Sequence, residues 1–320
     1  MSDGFGKISF PWGFGVDLFF VLSGFVMVLS GSRLFNRDGG VREFLTHRFI
    51  RVAPLYWLFT LAIIAAVIIF PDELETTRLG LASAVSSFLF IPWPRWDDAL
   101  RPLLSLGWTL NYEMFFYALF AATLVFSKKT GLTLLLSALA VLATIGAFNL
   151  PLYPTLRFWT DSILLEFGFG VVLGWLYTSR TISAAPKTAL ALAIFAFFLL
   201  TASMSLQDLP RFLAQGIPAT LFVFAALLMP APSEDSAHRL FADWIGESSY
   251  SLYLSHPFSF AIVKLVWPFA PGGLTDWLYV TVAVIAATIG GVATFKLIEQ
   301  PLLHGLRDRR KRDLAPASAA

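Results

Sequence analysis

Glu113 stands in SLGWTLNYEMFFYALFAATLVF (Ser105–Phe126), an apolar run long enough to cross a bilayer. A charge near the centre of a membrane helix costs roughly 2.5–3.5 kcal/mol, so such residues face a protein interior or a water-filled cavity. His256, in SSYSLYLSHPF, is a residue type that takes and gives protons near neutral pH. Pro257 follows it and frees a backbone carbonyl one turn earlier, near Tyr253, while Tyr250, Ser251 and Ser255 extend the polar patch. Glu113 lies roughly 12 Å from one face, and His256 roughly 13–14 Å from the other face of a ~30 Å core, so the two can share a depth. Each has a plainer reading as well. Glu113 fits a carboxylate hydrogen-bonded between helices, and His256 a satisfied core histidine.

Arg48 and Arg51, in THRFIRVAPLYW, are spaced i, i+3 and so project together on a helical face. Arginine suits bidentate recognition of phosphate, which makes the pair a candidate grip for a soluble phosphorylated substrate or an anionic lipid. His47 adds a third donor. The plainer role of juxtamembrane arginines is topology and snorkelling. Asp17, in FGVDLFFVLSGFV, sits near a helix end, where it can cap, bind a partner cation or line a cavity mouth. With no cysteine, disulfides, thiolate metal sites and Cys nucleophiles are excluded. There is no H-E-x-x-H motif, phosphate loop or G-x-S-x-G elbow, and four scattered histidines make a catalytic metal an unexpected feature.

The elements that must position these residues follow from composition. The chain is 57% hydrophobic and 14% charged, with a mean hydropathy of +0.71. Soluble domains are nearer a quarter charged, so this is an all-α, polytopic integral membrane protein. A net charge of +2 gives no reason to expect a nucleic-acid partner; the lipid bilayer is the first partner. The pattern predicts nine spanning helices, near 14–31, 53–70, 105–126, 131–149, 161–178, 188–206, 211–230, 247–267 and 277–298. Segment 79–92 is too short to cross and reads as interfacial or re-entrant. Loops are expected at 32–52, which is basic, and 71–104, which carries Asp72, Glu73, Glu75, Asp97 and Asp98. GVVLG (Gly170–Gly174) is a small-xxx-small packing motif. Residues 1–305 form a single membrane domain, and 306–320 a basic, disordered tail.

Fifteen Lys and Arg (near 33–51, 128–129, 180–187, 239 and 307–312) fall on one side of this arrangement and six on the other. The positive-inside rule then puts the C-terminus in the cytoplasm and the N-terminus outside. Met1–Gly13 shows no signal peptide that would carry it across.

Five motifs occur in register: GVDLFFVLSGFVM (Gly15–Met27), RFIRVAPLYW (Arg48–Trp57), SLGWTLNYEMFFY (Ser105–Tyr117), SYSLYLSHP (Ser249–Pro257) and the closing E-x-P of Glu299 and Pro301. Together they resemble the membrane-bound acyltransferase-3 family, bacterial O-acyltransferases that modify surface sugars and related acceptors. The resemblance implies ten helices, both termini in the cytoplasm, a bacterial cytoplasmic-membrane location and acyl-CoA, chiefly acetyl-CoA, entering from the cytoplasm. It implies that Arg48 and Arg51 hold the phosphates of CoA. Glu113 matches the acid of the family's W-x-x-x-x-E run, which Trp108 opens. Apart from the resemblance, Asp17, Trp108 and Tyr253 are the candidate cavity-lining residues. The family's first helix, ending in a catalytic histidine, would precede Gly15, and its R-x10-H signature does not occur in residues 1–13. The expectation is a start codon placed too far downstream; the alternative is an inactive product.

A histidine base would deprotonate the acceptor hydroxyl, and the alkoxide would attack the acyl thioester while buried donors stabilise the oxyanion. Glu113 would orient base or acceptor; His256 is a candidate to replace the family's base, though not the expected one. The acceptor is a cell-envelope carbohydrate or lipid-linked relative. Midplane Glu and His beside a broken helix also suit a proton-coupled carrier. The arginine pair and the lack of inverted repeats favour the enzyme.

Overall fold

The computed structural model describes residues 13–70, 79–94, 99–148, 150–204, 206, 209–230, 233, 237–267 and 274–306. Asp72, Glu73, Glu75, Asp97 and Asp98 of the acidic loop, and the basic tail from Arg307, lie outside these residues.

Among the described residues the regular structure is all helical, with one isolated antiparallel bridge, Pro94 to Leu100, and no strand. The helices are α1 (Phe14–Gly31), α2 (Gly40–Ile69), α3 (Leu81–Phe88), α4 (Trp108–Thr123), α5 (Lys128–Ala147), α6 (Pro154–Phe158), α7 (Leu164–Thr178), α8 (Pro186–Ser203), α9 (Ile217–Leu227), α10 (Ala237–Val266) and α11 (Leu274–Thr294). A 3₁₀ turn, Ser105–Gly107, leads into α4, and π-turns occupy Phe212–Gly216 before α9 and Phe295–Glu299 after α11. The eight-residue α3 is too short to span, in keeping with the reading of 79–92.

The basic stretch 32–52 is not all loop. Helix α2 begins at Gly40 and continues through Pro54 to Ile69, so Arg48 and Arg51 lie well inside it. Gly39, at φ 75°, makes the left-handed turn that lets the helix start early. Pro54 removes one backbone donor but leaves the flanking turns intact.

Five helical stretches are long and apolar enough to cross a membrane: Phe14–Gly31, Gly40–Ile69, Lys128–Ala147, Pro186–Ser203 and Thr275–Leu306. The other four stretches expected to span are helical but shorter or more polar. Helix α4 has 16 residues, α7 has 15, and α10 is 30 residues long but includes the serine- and histidine-rich run. These weaker spans carry Glu113, Glu166, Arg211 and His256 or adjoin them.

The described residues divide into two compact units, one within Ser9–Arg48 and Ile69–Ala231, the other within Phe49–Ile68 and Pro232–Ala320. In the first, α1 and α7 touch backbone to backbone. A Cβ at Gly170 would lie 1.9 Å from the Val21 carbonyl oxygen, and one at Gly24 2.1 Å from that of Phe167. Only glycine allows such an approach, so the GVVLG motif is a packing seam. Helix α4 closes this core through aromatic stacking: Phe167 lies 4.7 Å from Phe20 and 4.4 Å from Phe116, centroid to centroid. In the second unit α10 packs on α11, where Gly291 admits Leu252. The C-terminal part of α2 joins them through Phe59, whose ring is 5.2 Å from that of Phe258, and through the Tyr250 hydroxyl, which donates to the Val52 carbonyl at 2.7 Å.

Candidate active site

Within the first unit, polar groups form a sequence along the α1–α4 seam. Glu113 is buried on α4, where its Oε1 accepts a hydrogen bond from Ser23 Oγ at 3.2 Å and another from the Tyr117 hydroxyl, one turn further along the same helix. A carboxylate oxygen with two donors is held in one rotamer and presents a fixed acceptor. Towards the α1 C-terminus, Arg48 donates to Ser30 Oγ, and its guanidinium carbon lies 5.5 Å from the Phe44 ring centroid and 5.8 Å from that of Tyr117. Two aromatic faces thus hold the cation.

At the opposite end of α1, Asp17 is fully buried. Arg211 grips it bidentately, Nε to Oδ1 at 2.8 Å and Nη2 to Oδ2 at 3.0 Å. Of the three roles open to Asp17, binding a partner cation is the one seen. The guanidinium carbon of Arg211 also lies 5.8 Å from the ring centroid of half-buried Trp108, which meets Phe20 and Tyr112 edge to face. Asp17 and Ser30 are thirteen residues apart on α1, about 20 Å along the axis, and Ser23 falls roughly midway. Glu113 therefore sits between an Arg211 end and an Arg48 end.

Glu166 on α7 belongs to the Asp17 end and escaped sequence reasoning. It is fully buried beside the Asp17 carboxyl group, and it interacts electrostatically with Asp17, Arg211 and Asp161. Gly216 of the π-turn packs on it so closely that a Cβ there would be 2.8 Å from Glu166 Cγ. The rule that singled out Glu113, an acid inside a spanning stretch, applies equally to Glu166 in 161–178. Arg211 gave no such signal, since in the sequence it is one more loop charge.

The second unit holds the other candidates. His256 Nδ1 faces the carbonyls of Tyr253 at 2.9 Å and Leu252 at 3.3 Å. Carbonyls only accept, so Nδ1 is the donor in these contacts. Tyr253 is the residue whose carbonyl Pro257 deprives of its helical donor, so the histidine satisfies the group that the proline frees. The Tyr253 side chain stands tilted to the imidazole, centroids 6.1 Å apart. Arg51, exposed on α2, interacts electrostatically with Glu299; Glu299 is buried on the closing π-turn and accepts from Ser251 Oγ at 2.5 Å. Arg48 and Arg51 follow one another on a continuous helix but have their neighbours in different units, as do Glu113 and His256. Among the described residues no three His, Asp or Glu side chains converge to hold a metal.

An all-helical, multi-pass membrane protein with a buried, doubly hydrogen-bonded carboxylate and a stacked arginine is the class that these observations define. Its sequence matches the model of the acyltransferase-3 family, described as an acyltransferase domain, over residues 3–296, and the chain belongs to that family. It is an acyltransferase. It is 32% identical over 308 residues to the exopolysaccharide production protein ExoZ of Rhizobium meliloti, covering 92% of this chain and 91% of that protein. It is 27% identical to the putative peptidoglycan O-acetyltransferase YrhL of Bacillus subtilis, over 95% of this chain. To the peptidoglycan O-acetyltransferase OatA of Listeria monocytogenes it is 25% identical, over 92% of this chain. The chain spans about half the length of those two, 53% and 52%. No solved structure matches it.

Proposed function

We propose that this protein transfers an acyl group, acetyl in the first instance, from cytoplasmic acyl-CoA to a hydroxyl of a cell-envelope carbohydrate. The observation that carries the reading is the order of groups along the α1–α4 seam: arginine, carboxylate, arginine, with Glu113 roughly midway. Arg48 takes the phosphates of CoA at the cytoplasmic end. Glu113 then lies about 10–11 Å along α1 from that end, a distance the pantetheine arm of CoA bridges with its thioester. Its fixed oxygens orient the base or the acceptor hydroxyl. The alkoxide attacks the thioester carbon; the C–O bond forms, the C–S bond breaks, and the thiolate leaves. Asp17, Trp108 and Arg211 mark the acceptor end. The nearly full-length likeness to an exopolysaccharide production protein favours a polysaccharide acceptor. The basic C-terminus belongs in the cytoplasm of the bacterial inner membrane.

The test uses inverted membrane vesicles from the native host and acetyl-CoA labelled in the acetyl group. The expected result is label in carbohydrate that mild alkali releases as acetate, and its loss in Arg48→Ala. Label that never leaves the protein, or identical transfer by Arg48→Ala, overturns the reading.

A further inference from the structure

Tyr117 touches both ends of the proposed chemistry in the first unit. Its hydroxyl donates to Glu113 Oε1, and its ring lies under the Arg48 guanidinium at 5.8 Å. The side chain is 2% exposed, and its ring is fixed further by an edge-to-face contact with Phe44 at 6.1 Å. Phe44 is itself the second face of the Arg48 cation site at 5.5 Å, and it stacks on Phe120 at 5.0 Å. The tyrosine cannot turn without releasing a carboxylate at one edge and an arginine at the other.

We propose that Tyr117 is a positioning residue that couples occupancy of the Arg48 phosphate site to the orientation of the Glu113 carboxylate. The inference rests on the donor reading above, in which Arg48 binds the phosphates of CoA. The two contacts use different parts of the phenol. The ring face holds the guanidinium by its quadrupole, which needs an aromatic ring but no hydroxyl. The hydroxyl holds the carboxylate, which needs an O–H donor at that edge. A phosphate at Arg48 restrains the guanidinium that rests on the ring, and the rigid ring in turn sets the O–H on Glu113. Donor binding and alignment of the reacting group thereby become one event. Ser23, the other donor to Glu113, lies on α1 and holds the carboxylate from the opposite helix.

Separating the two contacts gives the test. Tyr117→Phe keeps the ring and loses the hydroxyl; Tyr117→Leu loses both. In the vesicle assay, Tyr117→Phe is expected to lower kcat about tenfold or more, the loss of a hydrogen bond to a charged group, with KM for acetyl-CoA within twofold. Tyr117→Leu is expected to lower kcat similarly and also raise KM for acetyl-CoA about three- to tenfold, the loss of a cation–π contact. Equilibrium binding of labelled acetyl-CoA to the full-length protein in nanodiscs should follow KM: unchanged in Tyr117→Phe, weakened in Tyr117→Leu. A merely structural tyrosine would move both parameters together in both variants, or neither. That pattern overturns the coupling while wild-type binding upholds the donor site. Absence of acetyl-CoA binding by the wild-type protein overturns the donor reading, and the coupling with it. Both variants are scored at equal amounts of monodisperse protein, and the near-isosteric Tyr117→Phe keeps the comparison valid if Tyr117→Leu does not fold.

Discussion

Arg211→Ala is the sharpest test of how the first unit is held together. In the wild type Asp17 has no exposed surface, and its two oxygens accept from Arg211 at 2.8 and 3.0 Å. Removing one partner of a buried ion pair strands the other charge and costs about 3–5 kcal/mol. The Arg211 side chain is 33% exposed, so water already screens the cation in part, and the expectation falls at the lower end, about 3 kcal/mol. Glu166 makes the stranded state worse, because it adds a second buried carboxyl group beside Asp17. The assay is unfolding of the purified protein by SDS titration in mixed micelles, across wild type, Arg211→Ala, Asp17→Asn and the double variant. Arg211→Ala should be the least stable of the four. The double variant should regain at least half of the loss, since asparagine leaves no charge to strand. A double variant no more stable than Arg211→Ala, or a single-variant loss below about 1 kcal/mol, refutes the ion-pair account.

Three further outcomes are expected. Glu113→Gln preserves shape and retains an acceptor oxygen but removes the charge; transfer in the vesicle assay should fall about 10²-fold or more while SDS-unfolding stability changes by less than about 1 kcal/mol. Gly170→Ala puts a methyl group 1.9 Å from the Val21 carbonyl oxygen, which is backbone and cannot swing aside, so α1 and α7 must part at a cost of about 1–3 kcal/mol or more in the same titration. His256→Ala removes the donor to the Tyr253 carbonyl and should cost about 0.6–1 kcal/mol with transfer retained; lost transfer in folded protein would make His256 the base.

Much of the candidate site was legible because the membrane makes each polar residue conspicuous. Against an apolar background, Glu113, Asp17 and His256 stand out by type alone, and the i, i+3 spacing of Arg48 and Arg51 implies a shared helix face. The family motifs contain the same residues. Helix ends were less legible. The start of α2 at Gly40 was hidden because its first turns are basic, and hydropathy reports burial in lipid, not helicity outside it. The π-turns at Phe212–Gly216 and Phe295–Glu299 leave no hydrophobic period to read.

The amino-acid sequence by itself determined the class of protein. Composition demands a bilayer, the Gly170–Gly174 spacing demands a tight helix crossing, and Pro257 leaves a carbonyl to satisfy. Only the tertiary structure decided the partners. Arg211, 194 positions away in the chain, is the cation for Asp17; Ser23 is the donor that reaches Glu113 from 90 positions away. Those pairings depend on which helix faces pack together, and that is settled by close glycine contacts and aromatic stacking, which no local pattern encodes.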